Sequence, residues 1–250
     1  MRVLIITVAG MSERFSKSLG KKCLKCIYYP NNMKESLLYR MIRQTDGIDK
    51  YIIVGGFMYD QLEIAIGQYF ADCIDKIVLV KNDKFQEYGS GYSLYIGLQK
   101  ALELDFDEII LAEGDLFVDT NSFQKVVASA QDVITCNQDA ILADKAVAFY
   151  YDERHEIHYI YDTDHHAFQI QGPFLGIFNS GQIWKFVQPN RVKAIYAGIK
   201  EEWKGTNLVF IQRYFQGLGQ EDYNIIRFKK WINCNTLADF QQIAKIGGKG

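Results

Sequence analysis

The segment from Val3 to Ala9 is almost entirely apolar and ends at Gly10. A continuous apolar run of this length is typical of a strand that is buried on both faces, as in the centre of a parallel sheet. The loop after such a strand opens at the carboxyl edge of the sheet, where open α/β sheets bind their ligands. The sequence therefore predicts a central strand followed directly by a candidate binding loop.

The loop that starts at Gly10 contains groups that complement phosphate oxygens. Gly10 leaves the backbone bare, Arg14 supplies a fixed cation and Lys22 supplies an ammonium group. Because backbone N–H groups and cations both stabilise oxyanions, this segment is interpreted as a triphosphate-binding loop. It is neither a Walker loop nor a G-x-G-x-x-G loop, since neither pattern is present. Small residues after a strand also occur wherever a turn requires them, so a purely structural role stays open.

Composition excludes several classes of function. The chain has 250 residues, 48% of them hydrophobic, which is enough for one large α/β domain. A formal net charge of −2 gives no electrostatic case for binding nucleic acid or an anionic membrane. The lone C-x-x-C of Cys23 and Cys26 argues against zinc and for reduced thiols. With neither a secretory signal nor a membrane span in the sequence, we expect a cytoplasmic protein.

Strand-like and helix-like segments alternate over the first half of the chain. Apolar runs predict strands at 51–54, 77–80 and 108–112, and helical spacing predicts helices at 36–44, 60–70 and 93–103. This alternation predicts an α/β fold whose mostly parallel central sheet is covered by helices on both faces.

From about Asp132 the pattern changes to a mixed α+β one. A hairpin turn is predicted at 152–154. No linker or repeat divides the chain, so we expect one domain over residues 1–250. The remaining predicted elements are strands at 146–151, 155–161, 174–178, 223–227 and 231–233, and helices at 180–187, 206–216 and 237–245.

Two segments follow predicted strands at the presumed binding edge. Asp115 is placed to hold Mg²⁺ over the phosphates, although Gly114-Asp115 is also a routine turn sequence. Asp119 is expected in a turn or a helix cap. Asn235 offers an amide oxygen to a metal, and the spacing of Thr236 and Asp239 behind it predicts a capping box.

The segment Gly89-Ser90-Gly91 has two interpretations. Two glycines allow the backbone to approach a flat base, and a serine hydroxyl can bind a base edge. The alternative is an ordinary turn before a helix, with Ser93 as its N-cap.

In this order and spacing, the segments resemble the nucleotidyltransferase family with a GT-A-like fold, and in particular its compact phosphocholine and phosphonate cytidylyltransferases. That family has A-G-x-G-[ST]-R and P-K-x-L after its first strand, a G-[ST]-G turn, a strand ending in G-D, and a late [ND]-T-x-x-D segment. The resemblance covers roughly residues 1–125 and the last 20. The counterparts are Ala9-Gly10-Met11-Ser12-Glu13-Arg14, Lys21-Lys22-Cys23-Leu24, Gly89-Ser90-Gly91, Gly114-Asp115 and Asn235-Thr236-Leu237-Ala238-Asp239.

The resemblance implies a Mg²⁺-dependent enzyme. It would transfer CMP from CTP to a small phosphorylated or phosphonate acceptor, such as phosphocholine, and release pyrophosphate. Residues 1–130 would bind the nucleotide, residues 131–230 the acceptor, and residues 231–245 would return to the metal site; a homodimer is compatible with this organisation. The implied site comprises the catalytic residues Lys22 and Arg14, the metal ligands Asp115 and Asn235, and the nucleotide-binding residues Ala9, Gly10, Met11, Ser12, Glu13, Gly89, Ser90 and Gly91.

The chain departs from the family pattern at four positions. Ser12 replaces a glycine, Glu13 replaces a serine or threonine, and Asn235 stands where many members have aspartate. Lys21 stands where the family has proline, which leaves Lys25 as a rival to Lys22 for the catalytic lysine.

Other functions stay open at this point. The nearest alternative is a sugar-1-phosphate nucleotidyltransferase that uses UTP or GTP. A GT-A glycosyltransferase would need a D-x-D pair, of which Glu113-Gly114-Asp115 is a poor version, and a non-catalytic nucleotide-binding protein would tolerate Glu13. An aromatic cage for an amine, with Asp162 or Asp164 nearby, is weighed against core packing for Tyr159, Tyr161, Phe168, Phe174, Trp184 and Trp203. Zinc binding is disfavoured for His155, His158, His165 and His166.

Overall fold

The fold is built around β1 (Arg2–Val8), the strand expected from the apolar run. The structure, a computed structural model, describes residues 1–142, 147–161 and 169–247. No helix in these ranges is both long and apolar enough to cross a membrane. The other strands are β2 (Lys50–Gly55), β3 (Ile77–Lys81), β4 (Glu108–Glu113), β5 (Leu116–Val118), β6 (Asp132–Cys136), β7 (Ala148–Asp152), β8 (Ile157–Ile160), β9 (Phe174–Phe186), β10 (Tyr223–Arg227) and β11 (Trp231–Asn233). The helices are α1 (Glu13–Leu19), α2 (Leu37–Arg43), α3 (Tyr59–Tyr69), α4 (Ser90–Leu102), α5 (Thr120–Ala128), α6 (Pro189–Gly198), α7 (Leu208–Phe215) and α8 (Leu237–Gly247).

The central sheet has the strand order β10-β6-β9-β4-β1-β2-β3. β1 pairs in parallel with β2 and β4, and β2 pairs in parallel with β3. β9 is antiparallel to both β4 and β6, while β10 pairs in parallel with β6. The hairpin of β7 and β8 extends from β9, and β5 and β11 form a separate two-stranded ribbon. The expectation of an α/β fold with a mostly parallel central sheet is confirmed.

Successive side chains of the central strands point to opposite faces, and both faces are covered. Ile5 packs on one face with Leu98 of α4 and Phe210 of α7. Ile6 packs on the other face with Leu62 of α3. Because neither face meets water, the strands are continuously apolar and do not alternate with polar residues.

A third apolar cluster joins the two ends of the chain. Phe15 of α1 packs edge-on against Phe240 of α8, with their ring centroids 6.3 Å apart, and the buried side chains of Cys234 and Ile243 complete the cluster. The expected capping box of α8 is confirmed: the Thr236 N–H donates to Asp239 Oδ2 at 2.7 Å, and the Asp239 N–H donates to Thr236 Oγ1 at 3.3 Å. The late segment is therefore held beside the first loop.

The helix predicted at 180–187 is wrong, because these residues continue β9 (Phe174–Phe186) as a strand. The C-terminal section of β9, residues 179–186, lies between β4 and β6 and is buried throughout. Its apolar residues therefore show no two-residue period. A short buried strand and a buried helical turn cannot be distinguished by periodicity. The predicted hairpin turn after Asp152 is confirmed.

Candidate functional site

A cavity of about 530 Å³ opens at the carboxyl ends of β1 and β4. The predicted binding edge of the sheet is thus the position of a real cavity. Its walls are formed by residues 7–15, 24–26, 88–90 and 113–115, together with Asn82, Phe85, Ser93 and Asn235.

The first loop is shaped by a left-handed residue, Ser12, with a φ of 53°. This conformation costs a non-glycine residue about 1–2 kcal/mol, which explains why the resembling family has glycine here. The buried Ser12 hydroxyl accepts a hydrogen bond from the Lys25 N–H at 3.3 Å, so the serine fastens the loop to the segment that follows. At Gly10, by contrast, an added Cβ would meet no atom within 4 Å, so this backbone faces open space in the cavity.

Two cations of the cavity wall contact the two expected metal ligands. The Lys25 ammonium donates to Asp115 Oδ2 at 2.7 Å, and the Arg14 guanidinium donates to Asn235 Oδ1 at 2.9 Å. Lys25, at the start of the short 3-10 turn Lys25–Ile27, lines the cavity, whereas Lys22 is exposed and is not among the described lining residues. Of the two rival lysines, Lys25 is the one that the structure brings to the site.

Asp115 and Asn235 are fixed by the ribbon of β5 and β11. β5 begins just after Asp115, β11 ends just before Cys234, and the Cys234 N–H donates to the Asp115 carbonyl at 2.9 Å. Gly114 presses this edge against β1, because an added Cβ there would lie 2.2 Å from Val8 Cγ1. The ribbon thus brings the two residues to the same cavity from distant parts of the chain.

The donor set fits a hard divalent cation such as Mg²⁺. Asp115 Oδ1 is buried and has no hydrogen-bond partner within the described part of the chain. A buried carboxylate oxygen without a partner is costly, and a cation would satisfy it. Asn235 contributes an amide oxygen to the same cavity, and oxygen atoms are the ligands that Mg²⁺ prefers.

The segment Gly89-Ser90-Gly91 is the start of α4 and contacts another part of the protein. The N–H groups of Gly89 and Gly91 donate to the carbonyls of Lys204 and Gly205 at 2.8 and 2.9 Å. An added Cβ at Gly89 would lie 2.4 Å from the Gly205 oxygen, so close backbone packing explains this glycine. Gly89 and Ser90 line the cavity, but Gly91 is not among its described lining residues.

The N-cap alternative for this segment is corrected by the same geometry. Helix α4 begins at Ser90 with Gly89 as its N-cap, and Ser93 lies within the helix. The Ser93 hydroxyl accepts a hydrogen bond from the buried amide of Asn82 at 3.0 Å. The role of residues 89–91 in base binding stays a prediction.

Glu113 is a further residue of the cavity, and in the sequence it stands out only as part of a poor D-x-D pair. It is the last residue of β4, lines the cavity and accepts a hydrogen bond from the Asn207 amide at 3.0 Å. Burial, followed by the negative charge of Asp115, raises the pKa of Glu113 to about 7. Its position two residues before Asp115 was the available signal, whereas nothing in the sequence pointed to Asn207.

The residues considered for an amine cage or a zinc site lie elsewhere. The aromatic residues weighed for a cage that the structure describes do not line the cavity, and three of them, Tyr159, Trp184 and Trp203, are buried in the core. His158 lies in the β7–β8 hairpin, where its Nε2 is 3.1 Å from Asp152 Oδ2 and Glu156 completes a group within 4.8 Å. His155 interacts with Gln220 instead. The remaining candidates, Asp162, Asp164, His165, His166 and Phe168, are outside the described residues.

Solved structures of nucleotidyltransferases have the same fold. CTP:phosphocholine cytidylyltransferase from Streptococcus pneumoniae matches with a TM-score of 0.67 at 18% identity, over 98% of this chain and 99% of that one. An inositol-1-phosphate CTP transferase from T. maritima matches with a TM-score of 0.65 at 17% identity, over 100% and 97%. A putative glucose-1-phosphate thymidylyltransferase from Bacillus anthracis gives 0.67 at 13%, over 100% and 96%. The fold is therefore that of the nucleotidyltransferases, as the sequence resemblance led us to expect.

Within this fold class, the chain belongs to the family described as "Domain of unknown function (DUF6564)", which matches residues 21–247. No curated protein matches the chain significantly in sequence.

Proposed function

We propose that this chain is one nucleotidyltransferase domain that transfers a nucleoside monophosphate, with CTP the favoured donor, to a small phosphorylated or phosphonate acceptor such as phosphocholine. The observation that carries the proposal is the convergence of two cations and two oxygen ligands on one cavity. Lys25 contacts Asp115, and Arg14 contacts Asn235 although 221 positions separate them. A cavity that combines cations with oxygen atoms suited to a metal fits a polyphosphate better than a neutral ligand.

The proposed reaction is an in-line displacement at phosphorus. An acceptor oxygen forms a new bond to the α-phosphorus of the nucleotide, the bond from that phosphorus to its bridging oxygen breaks, and the electron pair leaves with pyrophosphate. Such a step needs positioning and charge stabilisation more than a nucleophilic side chain. The nearby Cys26 thiol fits this view, because burial raises its pKa to about 12 and keeps it protonated at neutral pH.

Each cation has a proposed task. Lys25 turns from Asp115 to the α-phosphate, where it stabilises the charge that builds up during the displacement. Arg14 holds the departing pyrophosphate through its planar guanidinium group. When bound at Asp115 and Asn235, a divalent cation would supply further neutralisation of the phosphate oxygens. The task first assigned to Lys22 is given to Lys25, because only Lys25 lines the cavity.

The choice of CTP is supported by the two CTP-using proteins named above, which share 18% and 17% identity with this chain. The main rival is a sugar-1-phosphate nucleotidyltransferase. It is favoured by the equal TM-score of 0.67 for the putative thymidylyltransferase.

Pyrophosphate release tests the proposal. The purified protein is incubated with Mg²⁺ and each of CTP, UTP, GTP and ATP, with and without phosphocholine, a simple phosphonate or glucose 1-phosphate. We expect acceptor-dependent pyrophosphate release that is fastest with CTP. Fastest release with UTP or GTP and the sugar phosphate would support the rival, whereas no release from any combination would contradict both.

A matched pair of lysine variants tests the assignment of the catalytic cation. Loss of one preorganised charge-stabilising donor lowers kcat about 10²–10³-fold, so we expect such a loss for Lys25→Ala. Lys22→Ala removes the same charge three positions away on the exposed surface and should keep kcat within about threefold, since exposed charges act weakly. The reverse order of effects would return the role to Lys22. Urea unfolding of both variants controls for loss of structure.

A further inference from the structure

The end of β4 presents two carboxylates to the cavity, one on each side of a glycine. Glu113 and Asp115 both line it, and the space at Gly114 is too small for any side chain. The Gly114 N–H donates to the Thr7 carbonyl at 3.0 Å, which fastens this edge to β1. The two carboxylates are therefore held at the cavity by a backbone that is fastened to the neighbouring strand.

The two carboxylates have different partners. Asp115 pairs with the Lys25 ammonium at 2.7 Å. Glu113 accepts one hydrogen bond, from the neutral Asn207 amide at 3.0 Å, and no lysine, arginine or histidine of the described residues lies within 4 Å of it. Asn207 is itself buried and held by the Ser90 hydroxyl, which accepts its N–H at 3.1 Å. Glu113 is thus a positioned carboxyl group that has no ion-pair partner among the described residues.

Without Glu113, the expected metal ligands carry a single negative charge. Asn235 is neutral, and the charge of Asp115 is balanced by Lys25, so Asp115, Asn235 and Lys25 together carry no net charge. The affinity of oxygen sites for divalent cations rises with the number of charged ligands. Including Glu113 gives the site two carboxylates and one amide oxygen, and one of these carboxylate oxygens, Asp115 Oδ1, has no hydrogen-bond partner among the described residues.

We propose that Glu113 is a metal-binding residue of this site, which supplies the second negative charge for the divalent cation while Asn235 supplies only a neutral oxygen. The inference rests on the proposed function for its metal, but it concerns a residue to which that function assigned no role. Asn207 is the positioning residue that directs the Glu113 carboxylate into the cavity.

The test measures Mn²⁺ binding to the full chain by electron paramagnetic resonance, with no nucleotide or acceptor present. Glu113→Gln removes the charge and keeps an oxygen that can accept from Asn207. We expect it to weaken Mn²⁺ binding at least about tenfold, the lower end of what loss of a supporting group at a metal site costs. Wild-type affinity in a folded Glu113→Gln protein would overturn the inference.

A charge-relocation variant makes the test specific. Asn235→Asp alone should tighten Mn²⁺ binding, and the double variant Glu113→Gln/Asn235→Asp should return to within about threefold of the wild type. If Glu113→Gln fails to fold, Asn235→Asp still tests the inference, because an unchanged Mn²⁺ affinity in that variant would show that the site does not lack negative charge. Glu103→Gln, the same substitution at an exposed position of the chain, is the matched control and should change nothing.

Two further features of the design keep the result interpretable. Every protein compared, the reference included, carries His158→Gln, so that the hairpin group of Asp152, Glu156 and His158 contributes less to Mn²⁺ binding and does so equally in each. Because the titration contains no substrates, its outcome does not depend on pyrophosphate release. A protein that releases pyrophosphate while its Glu113→Gln variant binds Mn²⁺ normally would refute the inference and leave the proposed function intact.

Discussion

The contact between the start of α4 and the segment 203–206 leads to a prediction about Gly91→Ala. An added Cβ would lie 2.8, 2.9 and 3.0 Å from the carbonyl oxygens of Trp203, Gly205 and Thr206. Ordinary contact begins near 3.4 Å, so each oxygen would have to move by 0.4–0.6 Å. These atoms belong to the backbone and cannot rotate away as a flexible side chain would.

The expected loss of stability follows from three contributions. Overpacking of this kind costs about 1–3 kcal/mol. The shift also weakens the hydrogen bonds from Gly89 and Gly91 to the carbonyls of Lys204 and Gly205, which together contribute about 2 kcal/mol. Alanine is better than glycine in a helix by about 1 kcal/mol, which offsets part of the loss. The net expectation is a destabilisation of about 2–4 kcal/mol.

Urea unfolding followed by circular dichroism measures this loss, with Gly67→Ala as the matched control. Gly67 lies in helix α3 and has no atom within 4 Å of an added Cβ, so its substitution should stabilise the protein by about 0.5–1 kcal/mol. If Gly91→Ala proves as stable as Gly67→Ala, the close packing of residues 203–206 on α4 is not present in the folded protein.

Three further predictions test other parts of the structure. Burial by itself would raise the pKa of Asp119, but hydrogen bonds from the N–H groups of Lys230, Ser122 and Lys229 outweigh burial and lower the pKa. Asp119→Ala should therefore lower the free energy of unfolding by about 1–2 kcal/mol at neutral pH. In urea unfolding, the difference from the wild type should shrink as the pH falls below about 4, where the carboxylate protonates. Gly10→Ala should leave the free energy of unfolding within about 0.5 kcal/mol of the wild type, because the added Cβ meets no atom within 4 Å. It should weaken CTP binding in a calorimetric titration, because the nucleotide is proposed to approach this backbone. Unchanged CTP binding would exclude Gly10 from the nucleotide site. Lys185→Met should destabilise the protein by about 3 kcal/mol in the same unfolding assay. The reason is that the fully buried ammonium pairs with Glu108 and donates to the Val127 carbonyl at 2.8 Å. An unchanged free energy of unfolding would show that these contacts contribute nothing to stability.

The sequence predicted β1 to β4 and α2 to α4 because each of these elements has a clear pattern of apolar residues, but it did not predict α1, β5, α5 or β6. The strand around Ile5 is continuously apolar, and the helix after Tyr59 repeats its apolar residues at helical spacing. In the second half, β9 has no such pattern of apolar residues, because its long buried section pairs with β4 on one side and β6 on the other. Whether such a segment forms a strand depends on the neighbouring strands of the sheet, and these lie far away in the chain.

The position of part of the candidate site could be expected from the sequence. Asp115 follows a buried strand, and although Gly114-Asp115 is also a routine turn sequence, the structure places it in the cavity wall at the expected edge of the sheet. The choice between Lys22 and Lys25 could not be made in advance, because both follow the same loop. It depends on the short 3-10 turn Lys25–Ile27 and on the Ser12 hydroxyl that holds the Lys25 backbone, and neither has a sequence signature.

The glycines of α4 show why contacts between the two halves of the chain escape sequence reasoning. The segment 203–207 contacts the first half through backbone carbonyls and also through side chains. Trp203 packs on Tyr95 of α4 with ring centroids 5.4 Å apart, but a buried tryptophan does not identify its partner in the sequence. Gly89 and Gly91 do carry a sequence signal, but it is ambiguous, because glycine is required both where protein backbone approaches closely and where a ligand does. The Asn207 amide donates to Glu113, which lines the cavity. The second half of the chain therefore contributes to the wall of the cavity that we propose binds the nucleotide, and substitutions in 203–207 are expected to affect nucleotide binding as well as acceptor binding.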